Sequence, residues 1–204
     1  MLLKAALNGA RSPAEHPALP VLPDQLAAAS AAAVAAGAGA IHLHVRGSDG
    51  KESLAPSHVA QALSAVREAC PGVPIGVSTG AWIEPDPARR VATVRSWHLQ
   101  PDFASVNFHE PGAAAVAEEL LQRGVGVEAG LGEAAAAAVL AATGLSGRCL
   151  RILLEPQESD LAAATATVVE IEAVLDRARV QPRRLLHGTG PTAWPLLALA
   201  RERG

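Results

Sequence analysis

The chain of 204 residues contains no tyrosine, two phenylalanines, three tryptophans and two cysteines. Cys70 and Cys149 stand far apart and outside any CxxC spacing, which argues against a disulfide framework or a cysteine-based zinc site. An excess of either charge is also lacking. The formal net charge is −3, so there is no basic field to hold a nucleic-acid backbone. Disordered chains are poor in apolar residues and rich in charge, whereas this one is 50% hydrophobic and 18% charged. Its 18 glycines and 15 prolines follow no period, which excludes a collagen-like repeat. Long hydrophobic runs are missing as well. Leu26–Ile41 is mostly alanine, is interrupted by Gly37 and Gly39, and falls short of the roughly 18–20 apolar residues of a membrane span. Met1–Leu7 is too short an apolar run for a signal peptide. The expectation is a cytoplasmic protein with reduced thiols and neither nucleic-acid nor membrane partners. No P-loop, GxSxG elbow or GxGxxG after a strand is found.

What the chain does have is alternation. Short strand-like runs (Leu2–Asn8, Ala40–Arg46, Pro74–Gly80, Phe103–Phe108, Gly126–Leu131, Leu150–Pro156 and Arg184–Gly188) alternate with helical stretches. The helices are read from Pro23 to Gly37, at His58–Cys70, Pro87–Trp97, Ala113–Arg123, Glu133–Ala142 and Asp160–Ala178, and at Trp194–Arg203. Seven strand–helix units in strict alternation imply parallel strands joined by right-handed crossovers. An open doubly wound sheet and a closed barrel both satisfy that pattern. The barrel is favoured because polar, chemistry-capable residues end nearly every strand, and a barrel gathers all its strand ends around one mouth. The fold class read here is α/β, a (β/α)8 barrel without its eighth strand. It forms a single domain over residues 1–204, short of the about 250 residues typical of such barrels.

The sharpest motif is His42-x-His44-x-Arg46. Residues two apart on a strand point to one side, so this spacing turns both imidazoles and the guanidinium the same way. Two such histidines suit Zn²⁺ or a similar divalent ion; the alternative is a pair of hydrogen-bonded histidines in a polar barrel mouth. Ser78-Thr79-Gly80 suits a loop that holds a carboxylate or phosphate, or else forms an ordinary turn. Ser105 and Asn107 place two polar groups on one strand face. Glu128, in an apolar strand, needs a cation, a metal or a proton, and an arginine on a neighbouring strand would also serve. His187 ends the last strand, where it is a candidate metal ligand, general base or core histidine. His109-Glu110 reads as a loop, and His16, His58 and His98 read as solvated.

In order along the chain, these pieces resemble the β-keto acid cleavage enzyme family. The resemblance is carried by Asn8-Gly9-Ala10 with His16-Pro17-Ala18-Leu19-Pro20, by Gly37-Ala38-Gly39-Ala40-Ile41-His42-Leu43-His44-Val45-Arg46, by Ser78-Thr79-Gly80 and by Ser105-Val106-Asn107-Phe108. It implies a barrel that binds a divalent metal, usually Zn²⁺, and exchanges a β-keto acid and acetyl-CoA for acetoacetate and a new acyl-CoA. On this resemblance His42 and His44 are the paired metal ligands. Ser78, Thr79 and Gly80 hold the keto-acid carboxylate, with Ser105 and Asn107 in the same pocket. Arg46 and Arg11 join the substrate-binding set. Arg11 stands where the family member that takes an amino substrate has glutamate, so a neutral or anionic substrate side chain is expected. The family also implies a homo-oligomer.

The family's last strand resembles Arg-Val-Gly-Leu-Glu-Asp and supplies a third metal ligand and the general base. The 204 residues contain no such segment. The base is therefore expected beyond Gly204, or the chain is a short form in which Glu128 or His187 completes the metal site. Two other readings stand beside the cleavage enzyme. One is a metal-dependent hydrolase using the same histidines, with Glu155 or His187 as base. The other is a barrel without its last strand that only binds.

Overall fold

A computed structural model describes residues 1–203. Its elements in chain order are β1 (Lys4–Ala6), α1 (Pro23–Ala35), β2 (Ala40–Leu43), α2 (Pro56–Ala69), β3 (Ile75–Ser78), α3 (Pro87–Arg95), β4 (Phe103–Asn107), α4 (Ala113–Gln122), β5 (Gly126–Leu131), α5 (Ala134–Thr143), β6 (Arg151–Leu154), α6 (Leu161–Arg177), β7 (Arg184–Leu186) and α7 (Ala193–Arg203). Two 3-10 turns, Ser146–Arg148 and Gly190–Thr192, precede β6 and α7. The seven strands form one sheet in chain order. This is the α/β fold of a (β/α)8 barrel with seven of its strands; an eighth is absent among the described residues. No described helix is long and apolar enough to cross a membrane.

The chain forms two compact units. One is Leu2–Ala104 with Arg123–Val125; the other is Ser105–Gln122 with the chain from Gly126 onward. β4 begins in the first and ends in the second.

In the N-terminal unit, β1, β2 and β3 pair in parallel, with Ala6 opposite His42 and His42 opposite Gly76. Every residue of β2 and β3 is buried. The helices begin alike. Pro23, Pro56 and Pro87 stand at or beside the first helical position, where proline's missing N–H costs nothing. α2 buries Val59, Ala62, Leu63 and Val66, the i, i+3, i+4, i+7 stripe of an amphipathic helix. α3 is capped by Asp86, whose carboxylate accepts from Arg89 N. Gly76 is required by packing, because a Cβ there would overlap the fully buried Phe103 ring. Trp97, also buried, donates its indole N–H to Leu54 O at 2.8 Å.

In the C-terminal unit, β5, β6 and β7 pair in parallel, with Glu128 opposite Arg151 and Leu154 opposite Leu186. α6 starts at the Asp160 cap, which accepts from Ala163 N at 2.8 Å. It buries Ala164, Val168, Ile171 and Leu175. α5 is mostly alanine and ends on Gly144 at φ +72, a left-handed cap that glycine adopts without strain. The two cysteines are free and buried, and burial pushes the Cys149 thiol up to about 11.

Candidate active site

The N-terminal unit gathers a polar cluster at the C-terminal ends of β1, β2 and β3, the edge of a barrel sheet on which active sites are built. Asn8, just past β1, is buried and grips the backbone of His44 from both sides. Its Oδ1 accepts from His44 N at 2.9 Å, and its Nδ2 donates to His44 O at 2.8 Å and Pro20 O at 3.1 Å. His42 lies on β2, and its Nε2 sits 3.0 Å from Ser78 Oγ at the end of β3. His44 comes one residue after β2 ends. Its Nδ1 lies 2.8 Å from Glu52 Oε2, and the two side chains are only 13% and 11% exposed.

Glu52 arrives by a turn. The chain folds back over Gly47–Gly50, Gly47 N donates to Lys51 O, and Arg46 pairs with Glu52 as an antiparallel bridge. The same Glu52 oxygen accepts the Trp82 indole N–H at 3.0 Å. The indole stacks on the His44 ring with centroids 6.0 Å apart and planes 21° apart. Burial pushes the Glu52 carboxyl up. The His44 bond and charge, the Trp82 N–H and the Arg46 guanidinium outweigh it and hold the carboxyl below its ordinary 4.5. Ser78, Thr79 and Gly80 are all buried, and Trp82 lies against Gly80, where any Cβ would overlap the indole.

The two imidazole centroids are 5.4 Å apart with their planes at 77°. Two imidazoles on one tetrahedral zinc, with Zn–N bonds of about 2.0–2.1 Å, hold their centroids about 5 Å apart, so the spacing suits a shared divalent ion. A carboxylate behind one ring is the usual companion of a ligating histidine. No group of three or more His, Cys, Asp or Glu side chains among the described residues could hold a metal ion. The fit is therefore that of two protein ligands of a set.

Arg46 turns to the backbone. Nη1 donates to Gly50 O at 3.0 Å, and Nη2 donates to Gly9 O at 3.0 Å and to Arg11 O. The arginine thus ties the loop after β1 to the turn after β2. The Arg11 side chain is exposed.

In the C-terminal unit, Ser105 and Asn107 are half-buried on β4, and Asn107 Nδ2 donates to Glu110 Oε1 at 3.0 Å. Glu128 is fully buried on β5, with its carboxylate 2.6 Å from Arg151 Nε, so the neighbouring-strand arginine supplies its cation. At the ends of β6 and β7, Glu155 Oε2 lies 3.0 Å from His187 Nε2. Glu155 and Asn107 lean over Gly130, where a Cβ would collide with both. His58, read as solvated, is half-buried against Ser53 Oγ at 2.8 Å.

Sequence reasoning did not single out Glu52 or Trp82. A signal for Glu52 exists in Ser48-Asp49-Gly50, a turn tripeptide that folds the next strand-like residues back beside His44. Trp82 carries no comparable signal.

Residues 1–182 match the family described as beta-keto acid cleavage enzyme. The 3-keto-5-aminohexanoate cleavage enzyme of Fusobacterium nucleatum is 33% identical over 108 residues, which are 52% of this chain and 39% of that protein. The enzyme of the same name from Acetoanaerobium sticklandii is 32% identical over 108 residues, 52% of this chain and 38% of that protein. The aligned part thus spans about two-fifths of each relative's length. Among solved structures, a mandelate racemase/muconate lactonizing enzyme from Roseiflexus sp. superposes with TM-score 0.56 at 16% identity, over 93% of this chain and 48% of that one. D-glucarate dehydratase from Agrobacterium tumefaciens superposes with TM-score 0.56 at 14% identity, over 97% and 50%. At such identities these two speak for the fold alone. The family match reaches from β1 to within two residues of β7, and on that extent the chain belongs to the beta-keto acid cleavage enzyme family.

Proposed function

We propose that this chain carries the metal- and carboxylate-binding groups of an enzyme that condenses a β-keto acid with acetyl-CoA. The products are acetoacetate and a new acyl-CoA, an acyl exchange in which the bond between the keto carbon and its neighbouring methylene breaks. The observation that carries the reading is the His42/His44 pair, 5.4 Å between centroids, with Glu52 behind His44 and Ser78 against His42.

In this reading His42 and His44 hold a divalent ion, Zn²⁺ by the chemistry of the donors. When bound, the ion supplies Lewis-acid polarisation of the 3-keto oxygen. Ser78 and Thr79 offer hydroxyls, and the Gly80 backbone a close approach, to the keto-acid carboxylate. Burial of all three keeps water from competing for those bonds. The exposed Arg11 favours an acid whose side chain is neutral or anionic over one bearing an ammonium group.

The test measures zinc per chain in purified protein, alone and together with any residues encoded after Gly204. It then assays acyl-CoA formation from a neutral β-keto acid and acetyl-CoA. About one zinc lost in His42→Ala and His44→Ala, with thioester-dependent turnover, supports the proposal. Turnover without a thioester and with solvent oxygen in the product would show a hydrolase instead. Zinc retained in both variants would remove the metal site from His42 and His44.

A further inference from the structure

The contact between His44 and Glu52 has a direction that the indole of Trp82 decides. An indole nitrogen can only donate. Glu52 Oε2 takes that N–H at 3.0 Å, so this oxygen is an acceptor. The same oxygen lies 2.8 Å from His44 Nδ1, and an acceptor there calls for a proton on Nδ1. The other ring nitrogen, Nε2, is then the one with a lone pair.

Three further features hold this arrangement. The indole covers the imidazole in a stacked geometry at 21°, which resists rotation of the ring. Asn8 fixes the His44 backbone through its N–H and its C=O, so the side chain starts from a set position. Gly80 lacks the Cβ that would push the indole away, which gives the glycine of Ser78-Thr79-Gly80 a purpose besides its place beside the substrate.

We propose that Glu52 is a positioning residue, and Trp82 its anchor, which together keep His44 as the Nδ1–H tautomer and present Nε2 to the metal. The metal half of this statement rests on the function proposed above; the tautomer half does not. Carboxylate partners of ligating histidines are typically worth about 10–100-fold in metal affinity. Trp82→Phe keeps a smaller aromatic ring beside His44, removes the N–H together with part of the bicycle, and leaves the Glu52–His44 contact in place, so its effect is the smaller one.

The experiment has two arms. Long-range ¹H–¹⁵N correlation spectra of the metal-free protein, assigned with His44→Gln, report which nitrogen of His44 is protonated. Zn²⁺ affinity is measured by competition with a chromophoric chelator, and folding is checked by thermal melting. The expected result is an Nδ1–H tautomer in the wild type. Glu52→Ala and Glu52→Gln should give a mixture of tautomers, a fall of about 10–100-fold in Zn²⁺ affinity and partial recovery with Glu52→Asp. If Glu52→Ala fails to fold, the near-isosteric Glu52→Gln still decides. An Nε2–H tautomer in the wild type overturns the proposal, as does Zn²⁺ affinity unchanged in Glu52→Gln. A wild type that binds no Zn²⁺, yet loses its tautomer preference in Glu52→Gln, overturns the metal reading and leaves the positioning role standing.

Discussion

Each unit of the molecule places a histidine against a glutamate at the C-terminal end of its strands, and the two pairs live in different surroundings. In the N-terminal unit His44 and Glu52 are 13% and 11% exposed, and an indole covers the ring. In the C-terminal unit His187 is 49% exposed and Glu155 17%. The distances barely differ, at 2.8 and 3.0 Å. Distance therefore does not separate a tightly organised pair from an open one; shielding does. Water competes for the donors and acceptors of an exposed pair and screens its charges, whereas a covered pair keeps most of its electrostatic strength and loses much if half-broken. The C-terminal unit also holds the extreme case, Glu128 at 0% exposure against Arg151. The three pairs make a series whose cost of disruption should follow burial.

The top of the series gives the largest effect. Glu128→Ala leaves the Arg151 guanidinium in the sheet without its counter-charge, and breaking a buried pair in this way costs about 3–5 kcal/mol. Urea unfolding should show that loss or an insoluble protein. A midpoint close to that of the wild type would mean that water reaches the pair, and the ranking by burial would fail at its strongest point.

Two glycines sharpen the same contrast by packing. A Cβ at Gly76 in the N-terminal unit would meet the rigid, fully buried Phe103 ring, whereas one at Gly130 would meet the tips of the Glu155 and Asn107 side chains. Overpacking a rigid neighbour costs about 1–3 kcal/mol or more, while a flexible tip can move aside. Gly76→Ala should therefore lower the melting temperature more than Gly130→Ala. Equal losses would indicate that Glu155 is as immobile as the core ring.

Much of this arrangement was legible in the sequence. All seven strands and seven helices fall where the alternation puts them, and β5 matches residue for residue. Hydrophobic period and Pro/Gly punctuation fix such elements locally. β2 differs. The alternation of His42, His44 and Arg46 reads as one strand to Arg46, yet β2 stops at Leu43 because the Arg46 backbone turns to pair with Glu52. A turn that leaves the sheet preserves the side-chain alternation that a strand would show, so the pattern alone does not mark the exit. Glu128 is the opposite case. Its sequence context demanded compensation, and the list of candidates included the neighbouring-strand arginine that the register supplies at Arg151. The Glu52–Trp82 contact was not legible at all, because it joins two loops separated by 30 residues.

The covered pair gives an intermediate effect that depends on pH. The native Glu52 carboxyl lies below its ordinary 4.5, so the folded state favours the ionised form. Its contribution to stability is fully present above about 4.5 and is lost as pH falls through the lowered native value. Glu52→Gln has no such proton to take up. Melting temperatures of the wild type should therefore exceed those of Glu52→Gln at neutral pH, and the gap should narrow as pH falls below 4.5. A gap that stays constant to pH 3 would place the benefit of Glu52 in packing rather than in its charge.

The open pair should give the smallest effect. His187→Ala removes a side chain that is half exposed, just past a strand whose three residues are only half-buried. Exposed ion pairs contribute about 0–1 kcal/mol, so the loss should sit near the bottom of that range. Glu155 is the more buried partner at 17%, and Gln157 Nε2 already reaches its backbone carbonyl at 2.7 Å, so the loop stays tied after His187 is gone. A second tie, from Thr192 Oγ1 to Glu158 O at 3.4 Å, holds the following loop independently of His187. Urea midpoints of His187→Ala and the wild type should nearly coincide. A loss as large as that of Glu52→Ala would mean that exposure has been given too much weight. The two histidine–glutamate pairs would then differ in what lies around them but not in what they contribute to stability.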